Sequence, residues 1–192
     1  MRKCSKRIVL GSGSPRRREL LAGLDVEFTV DTGNTFEESV PEGAAPADVP
    51  LLMALGKSHG FHRPLEEDEL LITADTVVIV DGAVLGKPRS RDEAADMLRL
   101  LSGREHLVVS GLVFRTAERE LTATDTTTVH VSPLSEEEIS YYIDTYRPFD
   151  KAGGYGIQEW FGYAAIGKIE GSYYNGMGFP IHKVWELLKE IG

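Results

Sequence analysis

Cysteine is nearly absent: Cys4 is the only one among 192 residues. That excludes an internal disulfide framework and any thiolate metal cluster, and Cys4 itself is a weak nucleophile candidate. Long apolar runs are missing too, so no segment reads as a membrane span. The apolar run after the basic stretch Met1–Arg7 is about three residues, too short for a signal-peptide core, and the expectation is a cytoplasmic protein. Positive charge is not in excess. Lys and Arg number 21 against 30 Asp and Glu, for a formal net charge of -9. That disfavours general nucleic-acid binding, but the basic first twenty residues leave room for a small anion. The five histidines are scattered. His59 and His62 have a ligand-like spacing without a partner cluster, so neither a zinc site nor a histidine-centred triad is expected. The serines near position 12 also lack a strand–elbow pattern.

The hydrophobic share, 42%, and the charged share, 27%, are those of an ordinary soluble chain. The length suits one domain, 1–192, with two intimate lobes. Arg7–Leu10 reads as a strand and Pro15–Leu24 as a helix, with Ser14 as its cap and Pro15 in its first turn. Val26–Val30 reads as a strand, 32–46 as a loop, and Ala47–His59 as a helix. Leu70–Ala74 and Val77–Val80 read as extended runs, and Asp81-Gly82 turns the chain into Ala83–Leu85. Arg91–Leu101 is an amphipathic helix, and Glu105–Arg115 and Glu120–Val131 are long strands. Ser135 and Glu138 form a capping box for a helix to about Thr145. Asp150–Gln158 and Tyr173–Phe179 read as glycine-rich loops around a strand-like Tyr163–Ile169, and Pro180–Ile191 closes as a helix. Strand–helix alternation followed by antiparallel-looking strands implies an α/β fold. Its expected form is a mixed, partly antiparallel twisted sheet with flanking helices, in two lobes around a central cleft.

Four polar clusters carry candidate chemistry. Ser12–Arg18 joins a helix start to guanidinium groups, a natural phosphate cradle. It matches neither the Walker loop nor the dinucleotide fingerprint, and it reads either as a site led by Arg16 with Arg17 or as a basic surface turn. Asp75 closes an apolar run, where a carboxylate is costly unless paired, hydrated or bound to metal. It is either a catalytic acid at a strand end or a turn aspartate. Lys87, before Pro88, can reach phosphate or be an ordinary loop lysine. In Asp150–Gln158, clustered glycines imply special dihedrals or a ligand. There Tyr155 can stack or donate, and Gln158 can read a base edge or cap backbone groups. Glu37 and Glu38, with Asp75, are oxygen donors suited to Mg²⁺ or Mn²⁺, or simply solvated acids. Lys57, at a helix end, complements the dipole.

Taken together, these strings resemble the Maf family of septum-formation-like nucleotide pyrophosphatases across nearly the whole chain. They are Ser12–Arg17, Ala74–Thr76, Gly86–Pro88, Leu101–Gly103, Asp150–Gln158 and Tyr174–Pro180, in family order. The resemblance implies an enzyme that cuts nucleoside triphosphates between the α and β phosphates, a divalent metal (Mg, Mn or Co) and a homodimer. It implies neither a nucleic-acid nor a membrane partner. Residue by residue, it assigns phosphate contacts to Arg16 with Ser14 beside it, and secondarily to Arg17. Metal association falls on Glu38, with Glu37 as the neighbouring register. It assigns catalysis to Asp75, further cationic contacts to Lys57 and Lys87, and the base to Gln158. The Tyr155–Gln158 string is similar to the subgroup preferring dTTP and UTP, for which modified pyrimidine nucleotides are also plausible substrates. Gly154 and Glu159 depart from that subgroup's commoner alanine and glycine. One deep carboxylate with several separated cationic motifs suits in-line attack on the α-phosphorus by metal-associated water oriented or deprotonated by Asp75. Glu38 and Lys87 are the other catalytic residues: Glu38 helps hold the metal, and Lys87 with Arg16 and Lys57 stabilises charge on the phosphates. A nucleotide-binding regulator of septum formation with little hydrolysis is the alternative.

Overall fold

The computed structural model of the chain describes residues 5–191, so Cys4 lies outside the described residues. The element order begins β1 Arg7–Leu10, α1 Pro15–Ala22, β2 Phe28–Val30, α2 Val49–His59, β3 Glu69–Val80 and β4 Ala83–Leu85. It continues α3 Arg91–Leu101, β5 Glu105–Arg115, β6 Glu120–Val131 and α4 Glu136–Tyr146. After a 3-10 turn at Ala152–Gly154 come α5 Trp160–Ala164, β7 Ile166–Glu170, α6 Tyr173–Gly176 and α7 Ile181–Ile191. The fold is the mixed α/β class expected. The strands form one sheet in the order β2-β1-β3-β5-β6-β7, with β4 paired to β3. β1 runs parallel to β2 and β3, whereas β4 is antiparallel to β3 and β7 to β6. No helix among the described residues is long and apolar enough to cross a membrane.

The chain divides into two compact units. The first combines the chain up to Asp75 with Ser110–Asp125 and the segment from Gly178 on; the second combines Thr76–Val109 with Thr126–Met177. β3, β5 and β6 contribute residues to both. In the first unit Ile8, Leu10, Leu70, Ile72, Leu112 and Phe114 alternate along their strands, so one face carries the apolar side chains. Leu21 of α1 and Val184 and Leu188 of α7 bury against them, each contributing about 1.5–3 kcal/mol. The second unit gathers Val78, Val80, Val108 and Val129 with Leu98 and Leu101 of α3 and Ile139 and Tyr142 of α4.

Three local expectations are corrected. Leu70–Ala74 and Val77–Val80 are one strand, so Asp75 lies within β3 rather than at a strand end. A polar pair interrupts the apolar pattern there, but backbone pairing does not depend on apolar side chains. Trp160–Ala164 is helical, and the strand begins only at Ile166. Burial of Phe161 against Tyr142 and Tyr155 holds that helical turn in place. Tyr173–Gly176 is also a helical turn, capped by the Ser172 hydroxyl accepting from Asn175 N. The caps read from sequence are present: Ser14 accepts from Arg17 N, and Ser135 with Glu138 forms the reciprocal capping box.

Candidate active site

Six of the eight singled-out residues, Ser14, Arg16, Arg17, Glu38, Lys57 and Asp75, belong to the first unit. The docking of α2 brings two of them, Lys57 and Asp75, together. Gly111 of β5 lies so close to α2 that an added Cβ would stand 2.4 Å from Leu51 backbone. Thr73 of β3 donates to Ala54 O at 2.8 Å within the core. Thr73 and Asp75 share a strand face, while Ala54 and Lys57 are three residues apart on one helix face. The same docking therefore brings Lys57 to Asp75. Lys57 Nζ stands 2.6 Å from Asp75 Oδ1, with both side chains 19% exposed.

Glu38 reaches the same ammonium group from a long loop. Asn34 Oδ1 accepts from Phe36 N at 2.8 Å, an Asx turn, and the Asn34 amide donates to Lys57 O. Thr35 N donates to Gly60 O at 2.8 Å. Phe36 then covers Gly56 so tightly that a Cβ there would sit 2.3 Å from its ring. Two residues later Glu38 Oε1 lies 2.9 Å from Lys57 Nζ. This arrangement picks Glu38, itself exposed like Glu37, as a partner of Lys57. Arg115 adds a tie by donating to the hydroxyl and carbonyl of Ser58 at the end of α2. Sequence reasoning passed over Asn34 and Phe36, and it placed Thr73 in the Asp75 cluster without a role; the Asn34 turn was the one local signal available.

The arginines divide their work. Ser14 caps α1 and its own N–H donates to Ser12 Oγ at 3.3 Å. Arg17 turns toward the protein: Nε donates to Gly178 O at 2.9 Å, and Nη1 to Ala74 O at 2.8 Å and Ser12 Oγ at 3.3 Å. Burial pushes its pKa below the ordinary arginine value, against the stabilising charges of Asp75 and Glu38; neighbouring Arg16 adds to the lowering. Arg17 thus feels the charges of Arg16, Glu38 and Asp75. Arg16 is half-buried and Arg18 exposed.

Lys87 and Gln158 belong to the second unit. Lys87 is exposed beside buried Pro88, and its loop is held by Gly153 N donating to Gly86 O at 3.0 Å. Gly153 and Gly154 both take positive φ, 70° and 73°. At Gly154 the space would accept a Cβ, so the backbone conformation is what favours glycine there. Tyr155, a candidate ligand-stacking residue from sequence, is instead in the core. It stacks on Phe161 and meets His106 Nε2 through its hydroxyl at 2.6 Å. Gln158 Oε1 is buried without a hydrogen-bond partner among the described residues, a state that is costly unless something else fills it.

Among the described residues no group of three or more His, Cys, Asp and Glu side chains could hold a metal. Two carboxylates gathered on one lysine do not make an all-protein cage. They do fit a hard dication that takes its remaining ligands from water and substrate phosphate, as Mg²⁺ commonly does.

A family model described as Maf-like protein matches residues 7–191. A protein of Porphyromonas gingivalis named dTTP/UTP pyrophosphatase is 50% identical over 188 residues, covering 97% of this chain and 94% of that protein. Proteins of the same name from Bacteroides thetaiotaomicron and Parabacteroides distasonis are 47% and 45% identical over 184 and 185 residues. Each matches 96% of this chain, with 95% and 96% of the relatives covered.

Proposed function

The chain belongs to the Maf-like protein family, and from that premise we propose that it hydrolyses dTTP and UTP to the nucleoside monophosphate and pyrophosphate. The relatives' shared name supports the substrate class. The observation that carries the reading is Asp75 in mid-strand, paired with Lys57, which also holds Glu38. A site for phosphate binding alone gains nothing from two carboxylates, which repel a triphosphate. A site that must activate water needs at least one.

In this reading a water attacks the α-phosphorus in line. The new bond forms from the water oxygen to phosphorus, and the bond to the bridging oxygen of the β-phosphate breaks. Asp75 orients the water and accepts its proton. Pyrophosphate leaves with the bridging oxygen. Lys57 and Arg16 offset the negative charge gathering on the phosphates, at positions set before substrate arrives. Arg17, with three donations to the protein, supports the cluster. In the second unit, Lys87 is assigned to a phosphate and Gln158 to the base.

Uracil and thymine present an N–H flanked by carbonyls, and a carboxamide can accept from the first while donating to a neighbour. Glu38 and Asp75 would hold a divalent ion, which when bound supplies charge neutralisation along the phosphates. Membership also motivates a cytoplasmic homodimer as part of this proposal.

A product-resolved assay with UTP and dTTP tests the reaction. Monophosphate and pyrophosphate in equal amounts are expected; release of orthophosphate contradicts the bond assignment. Failure to release pyrophosphate from dTTP, UTP, CTP or 7-methyl-GTP would favour a binding regulator.

A further inference from the structure

The loop that carries Gln158 is clamped from one side by a network of hydrogen bonds and ion pairs. Gly156 N donates to Tyr142 Oη at 2.8 Å, and Tyr142 Oη donates to Glu159 Oε2 at 2.5 Å. Glu159 Oε1 lies 3.1 Å from Lys151 Nζ, which is also 2.8 Å from Asp150 Oδ1. Glu159 N returns to Gly156 O at 3.2 Å. The Lys151 and Glu159 side chains are 10% and 19% exposed, so this pair is screened far less than a surface pair. It also closes over Gly156: an added Cβ would meet Glu159 Cδ at 2.9 Å and Lys151 Cε at 3.0 Å. Burial, aided by Glu159, holds the Tyr142 hydroxyl far above its ordinary pKa, so it remains a donor.

Gln158 sits between Ile157, buried in the core, and Glu159, held by the network. Its Oε1 is buried without a partner among the described residues. The backbone on both sides is therefore restrained while the amide oxygen is left for a donor. We propose that Tyr142 and Glu159 are positioning residues for base discrimination, acting through Gln158. The inference rests on the assignment of Gln158 to the base. Neither residue touches the nucleotide in this account. Releasing the clamp lets the amide leave the orientation that distinguishes uracil from cytosine, two bases of similar shape with opposite donor and acceptor patterns.

The test compares kcat/KM for UTP and CTP in the full chain and in Gln158→Ala, Tyr142→Phe and Glu159→Gln. Thermal unfolding is followed in parallel. Tyr142→Phe is expected to lower the UTP/CTP ratio about 3- to 10-fold. The change should fall in KM for UTP, with kcat for UTP and turnover of CTP held within about twofold. Glu159→Gln keeps an acceptor for Tyr142, so it should retain more of the ratio than Tyr142→Phe. It is also the second reading of the clamp if Tyr142→Phe does not fold. If Gln158→Ala lowers the ratio and both clamp variants leave it unchanged, the positioning role is wrong and the base contact stands. An equal loss on both nucleotides also overturns it, because that marks general structural damage. If Gln158→Ala leaves the ratio unchanged, the base contact itself falls, and the clamp proposal with it.

Discussion

Replacing Arg17 with alanine tests whether this guanidinium is chiefly a tie within the first unit. Its two short donations, to Gly178 O and Ala74 O at 2.9 and 2.8 Å, are charge-assisted. Each such bond contributes about 1.5–3 kcal/mol net, so together they contribute about 3–6 kcal/mol. The longer contact to Ser12 Oγ at 3.3 Å adds little. That range is already net of desolvating the cation, so the expectation is a destabilisation of about 3–6 kcal/mol, large against ordinary domain stability of about 5–15 kcal/mol. Arg17→Lys should fall between the two, since an ammonium lacks the planar fork that spans both carbonyls.

The assay is equilibrium urea unfolding. The two tryptophans are Trp160 and Trp185, one in each unit, so Trp185 fluorescence in a Trp160→Phe background reports the first unit. Arg18→Ala, at an exposed position, is the control and should stay within about 0.5 kcal/mol. Equal behaviour of the Arg17 and Arg18 variants would refute the reasoning. So would a large loss of pyrophosphate affinity in Arg17→Ala with unfolding unchanged, which would make Arg17 a phosphate ligand instead.

Other outcomes follow from the same geometry. Asp75→Asn keeps the shape but removes the proton acceptor; UTP turnover should drop about 10²–10⁴-fold with little change in melting temperature. Lys57→Met leaves Glu38 and Asp75 without their shared cation, and kcat/KM for UTP should fall at least about tenfold, measured by pyrophosphate release. Gly56→Ala forces Phe36 off α2 and should cost about 1–3 kcal/mol in urea unfolding. His106 is buried, which lowers its pKa from 6.5 to about 4. The unfolded chain takes up that proton first as pH falls. The contribution of neutral His106 is therefore complete above about pH 6.5 and is lost progressively down to about pH 4. Between pH 7 and 5 the loss is about 2 kcal/mol. His106→Phe should remove that part of the difference between urea midpoints at the two pH values.

Much of the fold was legible because its signals are local. The boundaries of β1, β4, α3, β5 and β6 coincide with the residue patterns, and the caps at Ser14 and Ser135 follow from side chains reaching main-chain groups three residues on. The break read at Asp75 failed because apolar patterning was taken for strand continuity. The helix at Trp160–Ala164 was missed because burial of Phe161, a tertiary event, outweighs the β preference of an aromatic-rich segment.

By itself the sequence determined the α/β class, the family resemblance and the residue types gathered for phosphate chemistry. Which of those residues meet was decided by tertiary structure. Glu38 and Asp75 share Lys57 only because the Asn34 turn and the Thr73 hydrogen bond fix a loop and a strand against one helix. Arg17 spans 161 residues to Gly178 and 57 to Ala74. Spacing along a chain specifies contacts within a helix turn or a hairpin. Contacts over such separations depend on how buried surfaces dock, and that docking turned a basic turn, a mid-strand acid and a helix-end lysine into one charged cluster.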